Sequence, residues 1–158
     1  MPRLSLWIAA AGVALAAGAA LAQDKKTVWA GVYTTQQAER GAKLYRDTCG
    51  SCHGDDLEGM EQAPPLAGGT FAQRWDGTAL KKLFERIQEM PPDAPAKRLA
   101  DQQCVDVLAF LLSAHKIPAG AVALAADKNA LAQITFLATK PKGDGLSNVG
   151  RTFRSGKS

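Results

Sequence analysis

Cys49-Gly50-Ser51-Cys52-His53 is the stretch on which the reading of this chain turns. It closes a run, residues 34–48, that has the pattern of a helix. Thr34-x-x-Gln37 has the form of a capping box, in which a hydroxyl and an amide three residues on satisfy each other's free backbone N–H. Ala38, Gly41, Ala42 and Tyr45 then recur at the i, i+3, i+4, i+7 spacing of one helical face. Two cysteines three residues apart lie on the same side of a helical turn. The histidine stands directly beside the second of them.

That geometry suits c-type haem attachment. The thiols of Cys49 and Cys52 can meet the two vinyl groups of one haem as thioethers. The imidazole of His53 can then reach the iron from the adjacent face. Three competing readings fit less well. A thioredoxin-like pair needs a βαβ setting, and the flanks here are helical with no strand before them. A zinc site needs two more ligands; Cys104 and His115 are available, but their spacing of eleven matches no common pattern. A disulfide between Cys49 and Cys52 leaves His53 without a role. Composition favours the haem. The 158 residues are 46% hydrophobic, which excludes a globally disordered or collagen-like chain, but only 6% aromatic. A porphyrin supplies the apolar area that so few large rings leave wanting.

Outward from the motif, Gly54 to Gly69 reads as a loop rich in Gly, Pro, Asp and Glu. A second helix fits Thr78 to Glu89, with Leu80, Leu83, Phe84 and Ile87 on one stripe, and Pro91-Pro92 stops it. A third fits Asp101 to Ser113, with Cys104, Leu108 and Leu111 on one face and Val107 beside them; Pro118 ends that region. Only Ile134 to Thr139 alternates in the manner of a strand. Beyond residues 1–22 the chain has two methionines for the sixth position on the iron. Met90 lies 37 residues after His53, ample chain to cross to the other face of the ring. Met60 lies seven residues after it and could span the ring with almost no slack. Met90 is the expected distal ligand; Met60, His115 and an open site are the alternatives. Methionine opposite histidine raises the potential of the iron.

The ends carry different signals. Arg3 is the only charge in the first 22 residues, Leu6 to Ala22 gives 17 apolar or glycine positions, and Ala20-Leu21-Ala22 reads as A-x-A before Gln23. Residues 1–22 are therefore expected to be a cleaved signal peptide, with an uncleaved anchor as the competing reading. Cleavage places the mature chain in a periplasm, with no stable membrane span. Residues 23–33 form a lead, residues 34–126 a globular domain, and residues 127–158 a C-terminal extension expected to be disordered from about 140. Residues 30–126 hold ten Lys and Arg against twelve acidic residues; residues 127–158 hold six against two. The globule is slightly acidic and the extension basic. No interleaving of aromatic and basic residues argues for nucleic acid.

Taken together, the chain resembles the class I, mitochondrial-type, c-type cytochromes over roughly Val32 to Leu124. The landmarks are Gly41 and Tyr45, Cys49 to His53, Pro65-Leu66, Trp75, Met90-Pro91 and the helix from Cys104 to Leu112. Val32-Tyr33-Thr34, Phe71 to Trp75 and Pro118-Ala119-Gly120 give a closer likeness to the small modules that accompany exported quinoprotein dehydrogenases. The resemblance implies an all-α fold, three to four helices around one covalent haem c with its iron. It also implies a first helix crossed against the terminal helix at Gly41, near Tyr45, Leu108 and Leu111. It implies that the Pro65 carbonyl accepts from the proximal imidazole of His53, and that Trp75 either contacts a haem propionate or packs as plain core. Two residues depart from the pattern. Ala100 stands where serine often precedes the terminal helix, which leaves Asp101 to cap it or the start frayed. Cys104 stands where an aromatic is usual, and its place on an apolar face suggests a buried, inert thiol.

The function this implies is carriage of single electrons through an exposed haem edge, from a dehydrogenase donor towards an oxidase or other acceptor. With both axial positions filled the iron offers no place for a substrate, so no catalytic residues are expected. A haem-bearing oxidoreductase subunit with an open sixth site, or a redox or gas sensor, is the alternative. Oligomeric state is not legible.

Overall fold

A computed structural model describes residues 26–61 and 63–142. The signal peptide expected over residues 1–22 and the extension beyond residue 142 lie outside the described residues.

The capping box forms as the sequence suggests. Thr34 Oγ1 accepts from Gln37 N and Gln37 Oε1 accepts from Thr34 N, both at 3.3 Å. It starts α1, Thr35–Thr48, which runs into a single turn, α2, Gly50–His53. Helix α3, Gly68–Trp75, begins inside the stretch expected to be loop. Helix α4 covers Leu80–Gln88 and α5 covers Asp101–Ala114. A short α6, Lys128–Ala132, follows. Single 3-10 turns occupy Val28–Ala30 and Pro95–Lys97. The fold is the helical one expected, with six helices among the described residues rather than three or four; the additions are the short α2, α3 and α6. The sole strand pairing among the described residues is two residues long. Strands β1, Lys26–Thr27, and β2, Ile134–Thr135, run parallel, with Lys26 opposite Ile134 and Thr27 opposite Thr135. The strand pattern at 134–139 therefore shrinks to two residues.

Helices α1 and α5 cross closely, and the crossing is built at Gly41. A Cβ there would lie 1.8 Å from the Asp106 carbonyl oxygen, so only glycine lets the two backbones approach. On one side of the crossing, Tyr45 and Phe110 pack with ring centroids 5.2 Å apart. On the other, Arg40 grips the carboxylate of Asp106 with two bonds, Nε to Oδ2 at 2.7 Å and the terminal nitrogen to Oδ1 at 2.9 Å. Leu108 and Leu111 are buried in the same interface.

The start of α5 resolves the Ala100 question. Ala100 sits at the N-cap and has no side-chain acceptor to offer, so only half of a capping box forms: Gln103 Oε1 accepts from Ala100 N at 3.0 Å. Asp101 is not a cap. Its Oδ1 accepts from Gln88 Nε2 at 2.6 Å and so ties the end of α4 to the start of α5. Cys104 is fully buried, its thiol turned to the Leu99 carbonyl at 3.6 Å.

Residues 127–138 pack onto the domain. Leu131, Ile134 and Phe136 are buried in the core. Phe136 N donates to Thr78 O at 2.8 Å and Gly77 N donates to Phe136 O at 2.9 Å. Thr78 also donates from N and Oγ1 to Trp75 O. With both backbone and side chain committed there, α4 starts at Leu80 rather than at Thr78. The lead is fastened in turn: Val28 and Tyr33 are buried, and Trp29 Nε1 donates to Leu137 O at 3.0 Å. Gly120 N donates to Tyr33 O at 2.7 Å, and a Cβ on Gly120 would lie 2.0 Å from Gly31 O. Buried Gln37 spends its amide on Leu124, donating to the carbonyl at 2.9 Å and accepting from the N–H at 2.7 Å.

Candidate functional site

The site grows from the end of α1. Cys49 N bonds Tyr45 O at 2.8 Å, and Cys52 N and His53 N both bond Cys49 O, at 3.1 and 3.0 Å. The motif is thus one tight turn that continues the helix. Tyr45 fixes it from below, its hydroxyl donating to Gly54 O at 2.6 Å. Burial pushes the Tyr45 hydroxyl well above its ordinary pKa, which keeps it a donor. Cys49 is half-buried and Cys52 exposed. Burial raises the Cys49 thiol, partly offset by the Thr48 hydroxyl 3.3 Å away. One thiol therefore faces apolar surroundings and the other faces outward.

The tautomer of His53 follows from its partner. Nδ1 lies 2.8 Å from the carbonyl oxygen of Pro64. A carbonyl can only accept, so Nδ1 carries the proton and Nε2 keeps its lone pair. That lone pair is what a metal needs, and the Nδ1–H bond fixes the orientation of the ring. The acceptor is Pro64, not Pro65 as the resemblance implies. The loop decides this by its own pairing. Gly59 N bonds His53 O at 2.9 Å, Met60 and Ala63 exchange two bonds, and Leu57 O accepts from Leu66 N at 2.8 Å and Ala67 N at 3.3 Å. The Leu66 N–H shares a peptide unit with the Pro65 carbonyl; in a trans unit the two point in opposite directions. Binding the first to Leu57 commits the second elsewhere. Two consecutive prolines in sequence flag the turn but do not say which carbonyl faces the ring.

The other candidates are distributed over separate elements. Met90 follows α4, half-buried, its N–H on Ile87 O at 3.1 Å, with Pro91 next. Met60 is 50% exposed and sits in the loop that carries Pro64, bridged to Ala63. Trp75 ends α3, half-buried against the core, with its ring centroid 6.2 Å from that of Phe71. Among the described residues no hydrogen bond joins Met90 or Trp75 to the Cys49–His53 turn. His115 terminates α5 and is engaged: Nε2 lies 3.1 Å from Leu66 O, and the ring stacks on Phe71 at 4.8 Å. With Cys104 turned to Leu99 and His115 to Leu66, the two extra ligands that a zinc site needs are both committed elsewhere. Among the described residues no three His, Cys, Asp or Glu side chains cluster as a metal site.

The residues fit a covalently held haem. Two thiols stand one helical turn apart, and the neighbouring imidazole presents an unprotonated nitrogen. Cys49, Leu66, Trp75, Ile87 and Leu99 are apolar and only partly covered by the core they pack against. They offer apolar surface that a flat ring can cover. Residues 38–115 match the family model described as Cytochrome c. No solved structure matches the chain.

Proposed function

Because residues 38–115 form a cytochrome c domain, which holds haem c and its iron covalently, we propose that the chain is an exported mono-haem electron carrier bound through Cys49, Cys52 and His53, with Met90 completing the iron. At the coarser level it is a haem-based electron-transfer protein that meets redox partners. The bound group supplies one-electron chemistry, the cycling of iron between its ferric and ferrous states. The chain's own residues bind, orient and exclude water. Cys49 and Cys52 fix the ring to the end of α1. Pro64 holds the proton on Nδ1 of His53 so that Nε2 can ligate. Met90 is the thioether with the chain length to approach from the opposite side, whereas Met60, seven residues after His53, has almost no slack to do so. The single observation that carries the reading is the His53 Nδ1–Pro64 contact, which sets the tautomer an axial ligand requires.

Export to a periplasm rests on the pattern of residues 1–22. A dehydrogenase as donor and an oxidase or other acceptor rest on the likeness to the cytochrome modules of exported quinoprotein dehydrogenases. No helix among the described residues is long and apolar enough to cross a membrane.

Purified protein, expressed with haem-maturation machinery, tests this in one optical spectrum and one mass. The expected result is a mass increased by one haem over the chain cleaved after Ala22, a methionine–iron charge-transfer band in the oxidised form, and little binding of carbon monoxide. Met90→Ala should abolish the band and give a high-spin iron. An unchanged band in Met90→Ala transfers the ligand to Met60; a high-spin wild type replaces the carrier with an open-site enzyme or sensor.

A further inference from the structure

His115 lies eleven residues past Cys104 and takes no part in the site as read so far, yet its geometry connects it to His53. The chain of contacts has four links. His115 Nε2 lies 3.1 Å from Leu66 O. Leu66 N bonds Leu57 O at 2.8 Å, so both ends of that residue's backbone are fixed. Two rigid proline rings precede it, and the carbonyl of the first, Pro64, meets His53 Nδ1 at 2.8 Å. At the far end, His115 N bonds Leu111 O at 3.1 Å, which anchors it to α5, the helix that crosses α1 at Gly41. The contacts therefore close a ring: α1, His53, Pro64, Leu66, His115, α5 and back to α1.

The His115 ring is held on its other faces as well. It stacks on Phe71 with 24° between planes at 4.8 Å, and it meets Phe136 edge-on at 6.0 Å. Phe71 and Phe136 are both buried. Leu66 O can only accept, so Nε2 carries the proton of the neutral ring. Among the described residues, His115 is the side chain whose hydrogen bond ties the 57–67 loop to α5.

We propose that His115 is a positioning residue for the proximal ligand: it clamps the Leu66 peptide so that the Pro64 carbonyl stays on His53 Nδ1. This deepens the carrier reading and rests on it. The consequence is electronic. A well-placed carbonyl draws on the Nδ1 proton and makes Nε2 a stronger donor, which favours ferric iron and lowers the potential. Loosening the clamp weakens that bond and raises the potential. His115 never touches the iron; it acts through two backbone carbonyls.

His115→Phe keeps an aromatic ring against Phe71 and Phe136 and removes the donor. His115→Gln returns an N–H donor at similar reach. Two readouts are needed besides stability: the midpoint potential of the full-length holoprotein, and the solvent-exchange rate of the His53 Nδ1 proton by NMR. The expected result is an upward shift of potential with faster exchange in His115→Phe, and a return of both towards wild type in His115→Gln. A His115→Phe protein that loses only thermal stability, with potential and exchange unmoved, overturns the proposal and leaves the carrier reading intact. Should His115→Phe fail to fold, nitrogen-15 shifts of the wild-type histidines decide instead. A His115 protonated on Nε2 supports the clamp; one protonated on Nδ1 alone overturns it. Carbon monoxide binding by the wild type would remove the carrier reading, and the exchange rate would still decide the clamp.

Discussion

At the scale of single residues, side chains that read as ordinary in sequence prove to have specific partners. Gln37 is recognisable as the third residue of a capping box, but its amide also satisfies both backbone groups of Leu124, 87 positions away. Gln37→Leu should cost about 2 kcal/mol, because it leaves a buried N–H and a buried C=O without partners. Thermal unfolding of the holoprotein checks this. Cys104 is fully buried, and burial, reinforced by the nearby Asp101, pushes its thiol up to about 11. It should resist alkylation at pH 8 in the folded protein and react on unfolding, as counted by mass. His115 titrates low, because burial disfavours its charged form more than the Leu66 carbonyl favours it. The unfolded chain then takes up the proton first as pH falls below about 6.5, so stability declines on the acid side of that value and is fully present above it. The His115→Phe protein should lack that component of the pH dependence in denaturant titrations at pH 5 and pH 7.5.

Among the elements, the crossing of α1 and α5 decides where the Cys49–His53 turn points. The helical face containing Gly41 and Tyr45 was legible from spacing alone, and so was the apolar face of α5. Gly41→Ala should destabilise the protein by about 3 kcal/mol or more, since the new methyl would collide with the Asp106 backbone rather than with a side chain that could rotate away. The Arg40–Asp106 pair locks the same crossing, with the carboxylate buried and the guanidinium half exposed. Removing Arg40 alone strands a buried charge. Arg40→Leu should therefore lower the melting temperature more than the double variant Arg40→Leu, Asp106→Leu, which removes both charges. A double-mutant cycle measures the difference. Element starts were harder to read. The Thr78 side chain and backbone are claimed by Trp75 and Phe136, so α4 starts two residues late; no local pattern announces a partner 58 residues away.

For the molecule as a whole, residues 127–138 close the domain. The sequence reading sets them apart as the start of a C-terminal extension, and a short run of Leu131, Ile134 and Phe136 is too sparse to read as core. In the folded protein those three are buried in the core, and Ile134 with Thr135 pairs with the lead strand. Truncation after Ala126 should cause a large loss of stability and expose the Phe71–His115 stack. Phe136→Ala in the intact chain should cost about 3–5 kcal/mol. Near-ultraviolet circular dichroism and thermal melts of the holoprotein distinguish both from an unaffected domain.

Chemistry that is local in the chain could be read from the order of residues alone: a capped helix, two thiols on one turn and an imidazole beside them. One helical turn and its neighbour fix such geometry without reference to anything distant. The tertiary structure alone decided that Pro64 rather than Pro65 faces His53, that Asp101 binds Gln88 instead of capping α5, and that His115 reaches back to Leu66. Each depends on which of several equivalent polar groups comes within about 3 Å once the helices have crossed. Separations of 11 to 49 residues carry no such distance in the spacing of letters.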